Sequence, residues 1–376
     1  MKPLIDRLKP LKKDGRRLLG CFPLYPPVEL FHSMGLEPLV MWGMKPFLDG
    51  TARSDRHIQN FVCSVGRHLV EFVLSDAGAV LDGMFMYNAC DTLRNLPEIL
   101  RSGLEEEGRV LPLLNAHIPM PSLEQTDARQ YLRDEIQTLI GRLEQTFGVS
   151  FSDARFEQSV SSYRRARALA RQLERAVAQG GIGFGKFAGL MQGNCLRSVE
   201  DQIEKMEAVV SEADKRPALK NADAPGAGVI ISGIMPPPSG VSDIMEQSGL
   251  RVVGNDIASL ARTYAYTPED GGSAPDYYVD FYYNHHPCTT LLGSSDHRIK
   301  VLETLIQERG ARGIVFLGEK FCEYEYFEFP FLMKRFKEKG IQSLQLEFSI
   351  DDDENLGQVR TRIEAFSEMI SEGDAP

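Results

Sequence analysis

The stretch Ala79-Val-Leu-Asp-Gly-Met-Phe-Met-Tyr87-Asn-Ala-Cys90-Asp-Thr-Leu-Arg-Asn-Leu96 decides the fold class. Its first half, up to Tyr87, is an apolar run of strand length and too short for a buried helix. Its second half opens a helical pattern that continues to Glu107, with Asp91 where a helix start favours an acid. Repeated, such a strand–helix unit builds a parallel sheet with helices on both faces.

The same alternation runs outward in both directions. Upstream, Arg17–Phe22 and Pro38–Trp42 read as strands. Val28–Met34 reads as a short helix opened by Pro26-Pro27 and stopped by Gly35, and Ile58–Leu74 has helical spacing. Downstream, Val110–Leu114 is a further strand. The pattern then changes. Gln125–Phe147, Ser152–Ala178 and Leu196–Asp214 are long, polar-faced and helical, and Lys220–Gly228 has the composition of a linker.

A second alternating section follows. Val229–Ser232, Arg251–Val253, Gly313–Leu317 and Ser343–Phe348 read as strands. Ser242–Ser248, Ile299–Glu308, Tyr326–Lys339 and Gly357–Ile370 read as helices. There is no strict internal repeat, but the two alternating sections are alike in architecture. The expectation is an α/β protein with parallel-sheet domains at 1–124 and 225–376, joined by a helical insert at 125–224.

Composition narrows the function. A chain of 376 residues, 43% hydrophobic and 25% charged, buries ordinary cores and needs no disulfide staples. Fifty-three acids against 42 bases, a net charge of −11, argue against a general nucleic-acid binder. No apolar run reaches the roughly 20 residues of a membrane span. The N-terminus lacks a signal-peptide core, so we expect a cytoplasmic protein. Its six cysteines (21, 63, 90, 195, 288 and 322) are then thiols or ligands and not disulfides.

Two motifs tempt and fail. Gly180-Gly-Ile-Gly-Phe-Gly185-Lys186-Phe187 approaches a phosphate-binding loop. However, Phe187 replaces the hydroxyl residue, and a helix precedes the motif where a strand is required. The expectation there is a glycine-rich helix stop and turn. His285-His286-Pro287-Cys288 follows the aromatic run Tyr277–Tyr283, read as extended. Adjacent residues on an extended chain face opposite ways, so we expect a loop at a strand end with one buried side chain, not a metal site.

Cysteine placement says more. Cys90 and Cys322 each follow a predicted strand and precede a helix. Ligands of open α/β sheets bind at such positions, where a helix N-terminus favours a thiolate or an anion. Cys63 lies near the start of the Ile58–Leu74 helix, in the same domain as Cys90. Three thiolates from two domains could close on one iron–sulfur cluster, and buried structural thiols fit the spacing as well. Cys21, Cys195 and Cys288 read as core thiols.

At these residues the chain resembles the 2-hydroxyacyl-CoA dehydratase and benzoyl-CoA reductase superfamily, in the manner of a 2-hydroxyglutaryl-CoA dehydratase D-component subunit. The resemblance is carried by Gly20-Cys-Phe-Pro-Leu-Tyr-Pro-Pro-Val-Glu29-Leu-Phe-His-Ser-Met-Gly35, Cys63-Ser with Arg67, Asp82-Gly-Met and Cys90-Asp-Thr-Leu-Arg-Asn-Leu96. Near the end it continues with Lys320-Phe-Cys322-Glu and Gln358–Phe366. It implies two Rossmann-like parallel-sheet domains with a helical middle section. It also implies a [4Fe–4S] cluster held by Cys63, Cys90 and Cys322, with one iron free of cysteine. The implied chemistry is one-electron reduction of a CoA thioester to a ketyl radical, by a benzoyl-CoA-type reductase or a 2-hydroxyacyl-CoA dehydratase. The implied partners are an acyl-CoA substrate, an ATP-dependent iron–sulfur activator, and a related second subunit or a second copy of the chain.

Glu29 is the acid–base candidate, or equally a carboxylate that complements its helix dipole. Arg67 and Arg94 could hold a CoA phosphate or simply face solvent. Two other classes remain open: an electron-transfer or double-cubane-type protein without thioester chemistry, and a metal-free α/β binding protein.

Overall fold

The structure is a computed structural model that describes residues 2–119, 126–215, 226–269, 271–291, 295–349 and 356–371. Helix α1 (Lys2–Leu8) leads into a first α/β section: β1 (Arg17–Phe22), α2 (Val28–Ser33), β2 (Leu36–Val40), α3 (Ser64–Leu74), β3 (Gly83–Tyr87), α4 (Asp91–Glu106) and β4 (Leu113–Ala116). Four helices follow: α5 (Thr126–Phe147), α6 (Asp153–Ala178), α7 (Phe184–Asn194) and α8 (Val199–Ala213). The second α/β section comprises β5 (Ala227–Gly233), α9 (Ser239–Gln247), β6 (Leu250–Ile257), α10 (Ala261–Tyr264), α11 (Ala274–Asn284), α12 (Ser295–Arg309), β7 (Gly313–Glu319), α13 (Glu323–Glu338), β8 (Gln342–Phe348) and α14 (Leu356–Ser371).

Each section forms a four-stranded, wholly parallel sheet, in the orders β2-β1-β3-β4 and β6-β5-β7-β8. The central strands β3, β5 and β7 are buried along their whole length, as parallel strands covered on both faces must be. The two sheets are topological copies. In each, a proline-rich turn follows the first strand, at Pro23–Pro27 and at Pro236–Pro238. In each, a glycine in the left-handed region, Gly35 (φ +77°) or Gly249 (φ +78°), ends the next helix and starts the second strand.

Several boundaries differ from the sequence reading. The helix expected at Ile58–Leu74 starts at Ser64. The Glu71 carboxylate accepts the backbone N–H groups of Arg53 (2.7 Å) and Ser54 (3.0 Å), which folds the preceding segment back as a loop. The strand expected from Ala79 starts at Gly83, after a 3-10 turn, and the Asp82 carboxylate accepts Leu18 N–H at 2.8 Å at its entry. The strand expected at Val110 starts at Leu113, because Val110 is 95% exposed and Pro112 has no N–H to donate. The glycine-rich turn after α6 is present, but Gly183 then caps α7, a helix that was not expected. Of the linker Lys220–Gly228, residues 220–225 lie outside the described residues, and so do the expected boundaries near 124 and 224.

The aromatic run Tyr277–Tyr283 is helical, not extended. Ser273 caps α11 by accepting the Asp276 N–H, and Tyr277, Tyr278, Phe281 and Tyr282 fall on one face at helical spacing. That face packs into the core of the first sheet, together with α5. Helix α6 has a buried stripe at Phe156, Val160, Tyr163, Arg167, Ala170, Leu173 and Val177. It touches α2 on one side and β6 on the other, and so joins the two halves.

Candidate metal centre

Cys63, Cys90 and Cys322 are the N-cap residues of α3, α4 and α13. Cys90 lies three residues beyond the end of β3, at Tyr87, and Cys322 three beyond the end of β7, at Glu319. The two cysteines therefore occupy equivalent places in the two topological copies. All three line one pocket of about 610 Å³, including its open mouth, together with Cys288, Trp42 and Tyr25. Ser64, next to Cys63 in the chain, donates its hydroxyl to Glu319 of the opposite section and ties the two halves together beside the pocket.

The electrostatics have two sides. Burial pushes the Cys63 thiol up to about 12 and also raises Cys90 and Cys322. Alone, these groups are neutral thiols and poor nucleophiles. Yet backbone N–H groups of the first helical turns favour the thiolate at each one: Gly66 at Cys63, Leu93 and Thr92 at Cys90, and Glu325 at Cys322. Three positive helix ends around an apolar pocket suit an anionic guest that brings its own cations.

Trp42 lines the same pocket, and its buried indole N–H has no acceptor among the described residues. Such an orphan donor costs about 1–3 kcal/mol unless something accepts it. A cluster sulfide is an acceptor of the right kind. The residues present thus fit an iron–sulfur cluster: thiols, helix starts, an apolar wall and one free donor. Among the described residues, no three His, Cys, Asp or Glu groups converge as ligands of a single metal ion. Thiolates of a cubane bind different irons and stand further apart than ligands of one ion.

The fourth cysteine of the pocket has polar company. Cys288 Sγ meets Arg262 Nη1 and Tyr25 Oη, both at 3.3 Å, and Thr290 Oγ1 at 3.4 Å. Burial disfavours its thiolate, but Arg262, Thr290 and Tyr25 outweigh that and lower the thiol below its ordinary value. Arg262 in turn pairs with Asp256, which also holds Arg298 (2.8 Å) and His286 (3.0 Å). Burial opposes the Asp256 carboxylate, yet the two guanidinium groups hold it well below the usual carboxylate range. His285 and Cys288 are both buried, and the members of the His285–Cys288 run turn to separate partners.

The other sequence candidates lie apart from this pocket. Glu29 is fully buried and accepts from Arg167, Tyr277 (3.1 Å) and Tyr278 (3.0 Å). Arg67 is bound to Asp55 (2.7 Å) and Thr51 (2.9 Å), and Arg94 pairs with Asp91 on the surface. Cys21 is a core thiol of β1. Cys195 lines a second, larger chamber of about 890 Å³, which shares Leu24 and Tyr25 with the cysteine pocket. Periodicity did not reveal this chamber. Its walls come from α6, α7, α8 and the proline-rich turn, which are distant in sequence.

Two parallel-sheet sections with helix-start cysteines gathered at one pocket define an α/β protein built around a thiol-lined site. Residues 23–370 match the family of the 2-hydroxyglutaryl-CoA dehydratase D-component, and the chain belongs to that family. It is 25% identical to the (R)-phenyllactyl-CoA dehydratase beta subunit of Clostridium sporogenes, over 96% of this chain and 94% of that protein. It is 26% identical to the beta subunit of the lactoyl-CoA dehydratase of Anaerotignum propionicum, over 95% and 93%. It is 24% identical to one of the subunits of the benzoyl-CoA reductase of Thauera aromatica, over 95% and 91%. The chain is thus an enzyme subunit of the acyl-CoA dehydratase and reductase kind. No helix among the described residues is long and apolar enough to cross a membrane.

Proposed function

We propose that this chain binds a [4Fe–4S] cluster on Cys63, Cys90 and Cys322 and serves a radical acyl-CoA dehydratase or reductase. The observation that carries this is the convergence of three helix-capping cysteines, from both sheets, on one apolar pocket. When bound, the cluster supplies single electrons at low potential for reduction of a CoA thioester. The chain's own residues do the rest. The helix starts of α3, α4 and α13 offset the negative charge of the guest. Trp42 offers it a hydrogen bond, and the apolar lining keeps water away. Loading releases the protons of the buried thiols. Residues 1–124 and 225–376 would supply the two halves of the site, with 125–224 as their bridge. Glu29, with its three donors, holds α2 against α6 and α11, and no proton step is assigned to it.

Relatives are named as subunits, so we propose a complex with a related second subunit. An acyl-CoA thioester and an ATP-dependent iron–sulfur activator complete the expected partners. Iron and acid-labile sulfide in anaerobically purified chain test the reading. The expected result is about four of each per chain in wild type, lost in Cys322→Ala. Wild type without iron after reconstitution would refute it. Calorimetric titration with CoA esters then separates thioester chemistry from electron transfer alone.

A further inference from the structure

We infer that Cys288 is a fourth ligand of this pocket and closes the iron that the three helix-capping cysteines leave open. On this assignment, which rests on the cluster reading above, the centre relays electrons and presents no iron to substrate.

Four observations carry the inference. Cys288 lines the same pocket as Cys63, Cys90 and Cys322. It is also the topological counterpart of Cys63. Cys63 lies between the second strand of its sheet, β2, and the crossover helix α3, and Cys288 lies between β6 and the crossover helix α12. With Cys90 and Cys322 already equivalent, each half of the molecule delivers the same two cysteines. Third, Cys288 is only 1% exposed, yet Arg262, Tyr25 and Thr290 surround its sulfur with polar groups, which a core thiol does not need. Fourth, Tyr25 reaches it from a left-handed backbone (φ +72°), a strained state for a tyrosine that clusters at functional sites.

Ligation forms one sulfur–iron bond and releases the thiol proton to the buffer, with no change in electron count. Arg262 keeps its contact and offsets the added negative charge. The Arg262–Asp256–Arg298 array is therefore a positioning device for Cys288.

The test uses the full chain loaded with iron-57, in wild type, Cys288→Ala and Cys288→Ser. The expected wild-type Mössbauer spectrum shows irons of one kind, and the EPR signal of the reduced cluster ignores added cyanide. Cys288→Ala should keep its iron, show about one distinct iron in four, and shift its EPR signal with cyanide. Cys288→Ser should give a distinct iron that takes cyanide weakly or not at all. Loss of iron from either variant, with unchanged thermal unfolding of the apo chain, would also support ligation. If Cys288→Ala fails to fold, Cys288→Ser carries the test. A wild-type cluster that binds cyanide, with the variants spectroscopically identical to it, would overturn the inference and leave the three-cysteine cluster standing. Wild type without iron would remove the cluster reading and this inference together.

Discussion

An indole N–H without an acceptor is costly inside a protein; Trp42 lines the cysteine pocket, and its buried indole N–H has no acceptor among the described residues. On the proposed cluster, a hydrogen bond from this donor would stabilise the reduced, more negative state. Trp42→Phe should therefore lower the midpoint potential by roughly 40 mV, from about 1 kcal/mol for the bond and 59 mV per tenfold change. Potentiometric EPR reads this directly, and an unchanged potential would mean that the indole faces elsewhere. Cys63 supports a second prediction at this scale. Its thiol titrates near 12 when folded, against about 8.5 for a free thiol. The folded apo chain thus holds this proton after the unfolded chain has lost it. Apo stability should be complete below about pH 8.5 and fall by up to about 1.4 kcal/mol per pH unit above it. Urea midpoints of wild-type and Cys63→Ala apo protein between about pH 8 and 10.5 would show the difference, and equal slopes would contradict it.

At the level of elements, the site is made of helix starts, and Gly66 tests this. It lies in the first turn of α3 and lines the pocket, and an added Cβ would stand 3.8 Å from Cys63 Sγ. Alanine there favours the helix by about 0.5–1 kcal/mol. The same methyl occupies space beside Cys63, the proposed ligand. Gly66→Ala should fold at least as stably as wild type yet retain less than half the iron, by thermal unfolding and metal analysis. Full iron content would show that the pocket has room to spare. Strands and helix starts were largely legible, because buried parallel strands are apolar runs and caps follow them closely. Helix α11 was not, since tyrosine and phenylalanine also favour strands and only packing against α5 selects the helical spacing.

The whole molecule is interlocked. Residues 274–288, from the second α/β section, enter the core of the first sheet, where Tyr278 donates to Glu29 and Tyr282 donates to the Tyr25 carbonyl. A fragment of residues 1–215 should therefore lack part of its core and unfold or aggregate when expressed alone. Co-expression with 226–376 should rescue it. Circular dichroism and gel filtration of the fragment, alone and paired, check this, and a stable monomeric 1–215 would contradict it.

Local pattern alone determined the α/β class, the two alternating sections, the helical stretch between them and the place of Cys90 and Cys322 between a strand and a helix; that Cys63 caps α3 came from the structure. Strand and helix periods, caps and glycine stops act over a few residues, so they can be read from the chain. Only the tertiary structure decided that Cys63, Cys90 and Cys322 share a pocket with Cys288, that Glu29 is saturated by α6 and α11, and that a second chamber adjoins the site. Those facts depend on where the two sheets meet across a shared core. That meeting is set by packing of α6 and α11 between residues hundreds of positions apart, which no local period encodes.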